Sequence, residues 1–452
     1  MRASTFFVVF SVLSLMLLAG CNNTSTSINS ELSATAQASA TATGQSAAQN
    51  AIPVTLENND GHYQIYRGGK PYFILGAGGT SQPELLAASG GNSMRTWSTD
   101  NAQEILDRAH AAGLSVMLGL RIGHERHGFD YNDEAAVAAQ KEYVLNEVKK
   151  YKDHPAVLAW GIGNEVDLFY TNTKVWYAIE DIARNIQQID PNHLVTTVTA
   201  GIDAEKARLI MERVPSIDYL SVNIYGGLET LPATLREVGW KGAYVVTEWG
   251  PTGHWQIAKT KWNVPIEQTS TEKAASYRER YNAGVLGAPG KALGSYAFLW
   301  GQKQETTPTW YGLFLESGEA TEVVDSMQYL WTGKWPEHRA PSIRSFTIDG
   351  KKALDSIYLK SGKTYKVVLD AFHPNNEAFH IRWEVLPEST DIRAGGDPEK
   401  RPVAVPGLIA SDNGKGVMEF VAPAKTGAYR LFGYVTNDYK RAAVANVPFY
   451  VH

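Results

Sequence analysis

The sequence predicts an α/β fold, a (β/α)8 (TIM) barrel followed by a C-terminal β-sandwich. Eight short apolar segments alternate with helical segments over about 280 residues, which fits a (β/α)8 barrel in size and order. Two of these apolar segments end abruptly in a glutamate. From Pro341 onward the helical period is lost, and short alternating strands separated by turn residues take its place. That pattern is typical of an immunoglobulin- or fibronectin-like sandwich.

The N-terminal 21 residues are predicted to be a lipoprotein signal peptide. Arg2 precedes an apolar stretch, Phe6–Leu18, that is too short to span a bilayer. The Leu-Ala-Gly-Cys ending at Cys21 resembles the bacterial lipobox, which implies lipidation of Cys21 and anchoring in a membrane of the bacterial cell envelope. Cys21 is the only cysteine, so no disulfide can form within one chain. Ordinary signal cleavage beside an incidental cysteine is the alternative.

The rest of the chain divides by composition into three predicted parts. Residues 22–52 are mostly Ser, Thr, Ala, Asn and Gln, and we expect a flexible tether because such a segment buries little apolar surface. The barrel is predicted over residues 53–338 and the sandwich over residues 339–452. Within Val54–Phe73, two short strands flank a Gly-Gly turn and are predicted to plug the lower end of the barrel.

The barrel strands are predicted from short apolar runs, and the helices between them from their end signals. Thr269-Ser270-Thr271-Glu272 has the form of a capping box, and a helix over Lys174–Ile189 stops before Asp190-Pro191. The predicted barrel strands are Phe73–Gly76, Ser93–Trp97, Ser115–Leu120, Val157–Asn164, Leu194–Thr199, Tyr219–Ile224, Ala243–Thr247 and Ser295–Trp300.

The sandwich is predicted to serve mainly as structural support packed on the barrel, with carbohydrate binding as the alternative. Its predicted strands are Ile343–Ile348, Thr364–Asp370, Phe379–Leu386, Val417–Val421, Ala428–Thr436 and Ala442–Val451.

The two segments that end in glutamate carry the predicted chemistry. Glu165 follows the fourth predicted strand and Glu248 follows the seventh. The C-terminal strand ends of a (β/α)8 barrel face the active site, so both carboxylates should lie at its mouth. Paired carboxylates are the machinery of glycoside hydrolysis, and we expect Glu165 to be the acid/base and Glu248 the nucleophile. One strand-end glutamate alone would more often be solvated or paired with arginine, but two in this order favour catalysis.

The Gly-Asn-Glu ending at Glu165 and the Thr-Glu-Trp-Gly around Glu248 resemble the retaining glycoside hydrolases of clan A, with a family 2- or 5-like barrel. The resemblance covers roughly residues 60–335. It implies that Arg95 lies beside the nucleophile, where a cation would hold Glu248 ionised. It further implies that Tyr225 donates a hydrogen bond to the nucleophile and that Trp300 lies under the sugar of the −1 subsite.

The same segments also resemble two narrower groups. Gly-Asn-Glu-Val followed by Asp167 is similar to family 2 barrels and to the β-1,3-glucanosyltransferases of family 72, and Gly91–Trp97 with Ala112–Val116 is similar to the latter. The chain departs from family 72, which carries extra cysteines and Ser-Glu-Tyr-Gly at strand 7. It departs from typical family 2 enzymes because it has no room for their N-terminal sandwich.

Asn164 and several aromatic residues are predicted to bind substrate. The Asn164 amide can hydrogen-bond a sugar 2-hydroxyl without disturbing the protonation of the acid. The chain has 12 Trp and 22 Tyr, and aromatic rings stack on sugar faces, although we expect most of them to lie in the core. The candidates near strand ends are Trp97, Trp160, Trp249, Trp255 and Trp310, with Tyr311 as a weaker one, and Trp249 is favoured.

No metal or other cofactor is expected. His124-Glu125-Arg126-His127 does not have the His-Glu-x-x-His spacing of a zinc site. We expect His124, His127 and His254 to line the cleft or lie in solvent. The net charge of −5 with interspersed signs indicates no nucleic-acid partner.

The predicted function is hydrolysis of β-linked glycans with retention, by double displacement between the two glutamates. The predicted partner is a poly- or oligosaccharide, with a β-glucan expected first and a β-mannoside or β-galactoside next. Transglycosylation with the same residues and an inactive glycan-binding lipoprotein are the alternatives. The intact set of Arg95, Asn164, Glu165, Tyr225 and Glu248 argues against loss of activity, because binding alone would not require it.

Overall fold

The computed structural model describes residues 50–452. The predicted signal peptide, Cys21 and most of the predicted tether therefore lie outside the described residues, and the lipid anchor stays a prediction. Of the helices in the described part, none is long and apolar enough to cross a membrane.

Eight parallel strands close into a barrel, which confirms the predicted fold class. The strands are β4 (Ile74–Gly78), β5 (Ser93–Arg95), β6 (Ser115–Leu120), β7 (Val157–Ile162), β8 (Leu194–Ala200), β9 (Tyr219–Asn223), β10 (Tyr244–Trp249) and β11 (Ala292–Ala297). Neighbours along the chain are neighbours in the barrel, and β11 pairs with β4 to close it. The last strand ends three residues before the predicted Trp300, a shift that matters for the site.

Helices cover the outside of the barrel, as predicted. They are α1 (Pro83–Ala88), α2 (Ala102–Ala111), α3 (Glu134–Tyr151), α4 (Val175–Ile189), α5 (Ala204–Arg213), α6 (Leu231–Glu237), α7 (Ser270–Arg280) and α8 (Glu322–Thr332). The Thr269–Glu272 capping box is present at the start of α7. α4 ends where Asp190-Pro191 stops it, and its buried face, including Trp176, packs into the core.

A small antiparallel sheet covers the amino-terminal end of the barrel. It consists of β1 (Val54–Asn59), β2 (His62–Arg67) and β3 (Lys70–Tyr72). Val54 N donates to Asn192 O just before β8, and the buried Ile65 joins a cluster of apolar side chains from the barrel interior. The sheet therefore leaves the carboxyl-terminal end of the barrel for a site.

The C-terminal part is a sandwich of two sheets around an apolar core that includes Trp383 and Phe420. The strands are β12 (Ala320–Thr321), β13 (Ser342–Ile348), β14 (Ile357–Leu359), β15 (Thr364–Phe372), β16 (His380–Pro387), β17 (Ile409–Asp412), β18 (Val417–Val421), β19 (Gly427–Thr436) and β20 (Arg441–Val451). One sheet has the order β12-β20-β19-β16 with β14 beside β20, and the other has the order β13-β15-β18-β17.

The two parts are firmly joined. β12 precedes α8 in the chain yet pairs with β20 of the sandwich, so one strand of that sheet comes from the barrel side. Arg430 of β19 also donates to Pro265 O at 2.8 Å. The predicted division at residue 339 lies in the segment that connects α8 to β13.

Candidate active site

A cavity of about 960 Å³ opens at the carboxyl-terminal ends of the barrel strands. This volume is near the upper limit of the range usual for small-molecule sites. Five of the predicted site residues line it, namely Trp97, Asn164, Glu165, Tyr225 and Glu248. The structure thus brings the two predicted carboxylates into one cavity.

Glu248 is buried, and three donors fix its carboxylate. Arg95 Nη1 and Trp97 Nε1 donate to Oε1 at 2.8 and 2.6 Å, and Tyr225 Oη donates to Oε2 at 3.0 Å. Charge-assisted hydrogen bonds of this kind are short and directional. The carboxylate is therefore held in one orientation beside the cavity, which is what an attacking group needs.

Arg95 links the two strand ends that carry the glutamates. Its side chain is 1% exposed, and besides Glu248 it donates from Nη1 to Thr247 O at 2.8 Å. Its Nη2 donates to Asn164 Oδ1 at 2.6 Å. The planar guanidinium can satisfy both strands at once, which a lysine ammonium could not do in the same geometry.

Asn164 and Asn223 extend this network to Glu165. Asn164 Oδ1 accepts from Arg95 and, at 3.0 Å, from Asn223 Nδ2, so the orientation of the Asn164 amide is set. Asn223 Nδ2 also donates to Glu165 Oε1 at 2.9 Å, and its Oδ1 accepts from Thr247 at 2.8 Å. With both acceptor positions of Oδ1 used, the donor side of the Asn164 amide remains for a ligand, and its contact with a sugar 2-hydroxyl stays a prediction.

A tight turn after β7 directs Glu165 into the cavity. Gly163 has φ +69°, and a Cβ there would lie 2.9 Å from Val166 Cγ1, so glycine is required on both counts. Glu165 itself has φ +50°, a conformation that costs a residue with a side chain about 1–2 kcal/mol. Its N–H donates to Val198 O at 2.9 Å, which holds the strained turn in place.

The surroundings of Glu165 favour its protonated form. Burial raises the pKa of Glu165 to about 7, and the negative charge of Glu248 acts in the same direction. The single hydrogen bond from Asn223 opposes the rise. A carboxyl group that keeps its proton near neutral pH can act as a general acid, whereas Glu248 is surrounded by donors that suit a carboxylate.

Two predicted sugar-binding aromatics lie in the core. Trp249 is 0% exposed and packs on Tyr277 and Tyr281, with ring centroids 4.9 and 5.8 Å away. Neighbouring strand residues point to opposite faces, so with Glu248 facing inward Trp249 faces the helices. Its assignment to substrate binding is therefore corrected.

Trp300 is corrected for a different reason. It is also 0% exposed and packs on Phe314 at 5.2 Å, because β11 ends at Ala297 and the chain has turned away before residue 300. Phe298 takes the expected place at the cavity, with its ring at 5.7 Å from that of Trp97 and at 6.0 Å from that of Tyr225.

The remaining aromatic candidates divide in the same way. Trp97 and Trp255 line the cavity, and Trp255 is 55% exposed at its mouth. Trp160 and Trp310 are buried and donate to Asp190 Oδ2 and Thr252 O, and Tyr311 packs behind Tyr225. Exposure at the mouth therefore separates the sugar-binding candidates from the core.

The histidines of the rim have protein partners. His124 Nε2 lies 2.7 Å from Asn164 O, and His127 Nε2 lies 3.0 Å from Asp397 Oδ2. His254 lines the cavity. Within residues 50–452 there is no group of three or more His, Cys, Asp or Glu side chains placed to hold a metal ion.

Several residues of the cavity were missed by sequence reasoning. Asn223 stands two positions before Tyr225, so the same Asn-Ile-Tyr segment contained it. Lys303 and Glu305 form an ion pair of 2.7 Å on the loop after β11, and burial raises the pKa of Glu305. Residues Ile392–Gly396 of the sandwich also line the cavity. They lie far along the chain from the other site residues, and no sequence pattern predicted that they would reach the cavity.

Comparison with known proteins relates part of the barrel to glycoside hydrolases. Residues 130–227, which include Glu165 and Tyr225, match the family model described as GH family 5 beta-mannosidase-like. The probable mannan endo-1,4-beta-mannosidase A-2 of Aspergillus terreus is 30% identical over 128 residues, 28% of this chain and 30% of that protein. The mannan endo-1,4-beta-mannosidase F of Aspergillus clavatus is 34% identical over 73 residues, 16% of this chain and 17% of that protein.

These alignments span under a third of the length of either mannosidase. Among solved structures, a Bacteroides uniformis beta-glucuronidase aligns with 88% of this chain and 48% of its own length, at 14% identity and a TM-score of 0.49.

Proposed function

We propose that the protein is a retaining β-glycoside hydrolase in which Glu248 is the nucleophile and Glu165 the acid/base. One observation carries the proposal. Two carboxylates face one cavity in opposite surroundings, with three donors on Glu248 and a single donor on Glu165, whose pKa is raised to about 7. Such a division between two carboxyl groups separates the acid from the nucleophile in glycoside hydrolysis.

The reaction follows from these positions. The Glu248 carboxylate attacks the anomeric carbon while Glu165 gives its proton to the departing glycosidic oxygen, which forms a glycosyl ester on Glu248. Glu165, now ionised, takes a proton from a water molecule that attacks the same carbon and releases Glu248. Two inversions return the β-configuration.

The neighbouring groups support each step. Arg95, Trp97 and Tyr225 hold the Glu248 carboxylate, so no reorientation is needed before attack. We assign to Asn164 Nδ2 the contact with the sugar 2-hydroxyl, which strengthens in the transition state. Phe298 and Trp97 supply apolar walls for the sugar ring.

The sugar is the finer part of the proposal. The β-mannosidase-like family model and the two mannosidases favour a β-mannoside. The β-glucan expected from the sequence stays a prediction. Transfer to an acceptor sugar uses the same residues and differs only in whether water or a sugar hydroxyl reaches the glycosyl ester.

The test is hydrolysis of a substrate panel by the full-length protein. The panel comprises β-mannan, β-glucans, β-galactan and the corresponding aryl β-glycosides. Proton NMR identifies the anomer that is released first. We expect turnover of a β-mannoside with a β-anomer released first. Glu165→Gln and Glu248→Gln should abolish turnover of the polysaccharides, while the matched control Glu212→Gln, an exposed glutamate paired with Arg208, should not change it. An α-anomer, or full activity in either cavity variant, would contradict the mechanism.

A further inference from the structure

The sandwich contributes a wall to the candidate active site. Its long loop between β16 and β17, residues 388–408, leaves the sandwich and reaches the mouth of the barrel. Residues Ile392–Gly396 of this loop line the same cavity as Glu165 and Glu248. Val405 and Leu408 near its end pack against the sandwich core, whereas residues Ile392–Gly396 reach the barrel rim instead.

Ion pairs and hydrogen bonds fasten the 388–408 loop to two places on the barrel rim. Arg126, in the segment after β6, donates from Nη1 and Nη2 to the two carboxylate oxygens of Asp397 at 2.8 and 3.1 Å. Lys303, after β11, donates to Gly396 O at 2.7 Å, and Thr306 N donates to Glu399 at 2.6 Å. The loop therefore joins the rim segments that follow β6 and β11, two strands that are not neighbours in the barrel.

The loop fits this place closely. Gly395 and Gly396 have φ of +63° and +71°. A Cβ on Gly395 would lie 2.8 Å from both Arg126 Nη2 and Leu168 Cδ2, and one on Gly396 would lie 2.8 Å from Lys303 Nζ. The backbone conformation favours glycine at both positions, and the close approach shows that the loop lies directly against these side chains.

The loop also reaches the cavity through the Lys303–Glu305 pair. Lys303 Nζ contacts Gly396 O on one side and Glu305 on the other, and both side chains line the cavity. Glu305 is 6% exposed, so its charge depends on that lysine. The hydrogen bond from Arg126 lowers the pKa of Asp397 to about 2, so the Arg126–Asp397 ion pair stays ionised in mildly acidic solution.

Exposed apolar side chains mark the mouth beside the loop. Ile392 on the loop is 49% exposed, while Phe169 and Trp255 on the barrel are 69% and 55% exposed, and all three line the cavity. Exposed apolar groups gathered at a cavity mouth indicate a binding surface. The C–H faces of sugar rings match such a surface, and here the loop supplies one side of it.

We propose that the 388–408 loop, tied to the segments after β6 and β11, closes one side of the cavity and supplies a sugar-binding wall, so that the protein takes chain ends and short oligosaccharides in preference to the interior of a polymer. This rests on the proposed function. A polymer that is cut in its interior must pass through a cleft that is open at both ends. Here the 388–408 loop closes one end of the cleft. The sandwich is then a part of the substrate site as well as a support for the barrel.

The test compares polymer and short substrates. In one variant of the full-length protein, residues 391–399 are replaced by Gly-Ser-Gly, and in a second, Gly395→Val lifts the loop from Arg126 and Leu168. We expect the ratio of kcat/KM on β-mannan to kcat/KM on an aryl β-mannoside to rise about tenfold in the first and less in the second. Arg344→Ala, which breaks the exposed pair with Asp370 on the sandwich, should leave the ratio unchanged.

A second readout does not need turnover. In the Glu165→Gln/Glu248→Gln background, calorimetry measures binding of mannohexaose with and without residues 391–399, and we expect affinity to fall about tenfold when they are removed. Absence of wild-type turnover would overturn the proposed function, while calorimetry would still decide the loop. Unchanged affinity in the shortened variant, or a rapid fall in mannan viscosity with the wild type, would overturn the loop proposal.

Discussion

Two glutamates, a half-buried one that lines the cavity and a buried one between the barrel and the sandwich, show how surroundings separate a reactive carboxyl from a structural one. Glu267 accepts from Lys273 and Thr309 on Oε1 and from Thr307 and Asn446 on Oε2, at 2.5, 2.9, 2.6 and 2.7 Å. Glu165 has one side-chain donor, Asn223.

The pKa values differ accordingly. Burial alone would raise the pKa of Glu267, but the charges of Lys273 and Arg430 outweigh it and lower the value. Burial raises the pKa of Glu165 to about 7 because no cation contacts it. A buried carboxyl with all its acceptor positions used stabilises the fold, and one left partly unsatisfied is available to a ligand.

The largest expected effect is on catalysis, from Glu248→Ala. Removal of the nucleophile should lower kcat on an aryl glycoside by at least about 10⁴-fold, which corresponds to about 5.5 kcal/mol. Azide can enter the space left by the carboxylate and attack from the same side. We expect rescue with an α-glycosyl azide as product, identified by NMR. A β-glycosyl azide would assign Glu248 to the acid/base role instead.

The next effect is on the free energy of unfolding, which should respond differently to changes at Glu267 and at Glu165. Glu267→Ala leaves Lys273 buried without its counter-charge, and loss of one partner of such a pair costs about 3–5 kcal/mol. Glu165→Gln removes a buried ionisable group and should leave the free energy of unfolding unchanged or raise it. Urea denaturation of both variants checks this, and equal losses would contradict the contrast.

The pH dependence of activity tests the state of Glu165. Its pKa is raised, so the proton needed for the leaving group is present below about pH 7 and is lost as the pH rises through that value. We expect kcat/KM on a substrate with a poor leaving group to fall above about pH 7. The leaving group of a dinitrophenyl glycoside departs without a proton, so kcat/KM on this substrate should not fall above about pH 7. The same fall in kcat/KM for both substrates would show that Glu165 does not cause it.

The smallest expected effect comes from Asn223→Ala. The Asn223 hydrogen bond opposes the raised pKa of Glu165, so its removal should move the alkaline limb to higher pH, by less than about one unit. The matched change Asn185→Ala, on a helix outside the cavity, should leave the limb in place. A shift to lower pH would mean that the hydrogen bond favours the protonated form.

Sequence reasoning predicted the barrel because local signals repeat along it. Strand, loop and helix alternate, and capping residues such as Thr269 mark helix starts whatever the tertiary contacts are. Glu165 and Glu248 could be found because a charge at the end of a buried strand is conspicuous. Asn164 directly precedes Glu165, and Arg95 and Tyr225 came from the resemblance to clan A.

The wrong site assignments arose where the direction of a side chain, or a contact between residues far apart in the chain, could not be read from the sequence. The run Tyr296–Trp300 is apolar throughout, so nothing in it showed that the strand ends at Ala297, and Trp300 was assigned the place at the cavity that Phe298 takes. Trp249 adjoins a site residue but faces outward, which alternation along the strand would have shown. Ile392 and its neighbours reach the cavity only through the folded sandwich, and no local pattern encodes that.

The central claim is that Glu248 attacks the sugar. It is tested most directly by incubating the full-length protein with a 2-deoxy-2-fluoro-β-mannosyl fluoride, whose glycosyl ester hydrolyses slowly, and then mapping the labelled peptide by mass spectrometry. We expect one fluorosugar per protein, attached to Glu248, and none in Glu248→Gln. A label on Glu165 or Glu305, or turnover of β-mannosides by a protein that takes up no label, would contradict it.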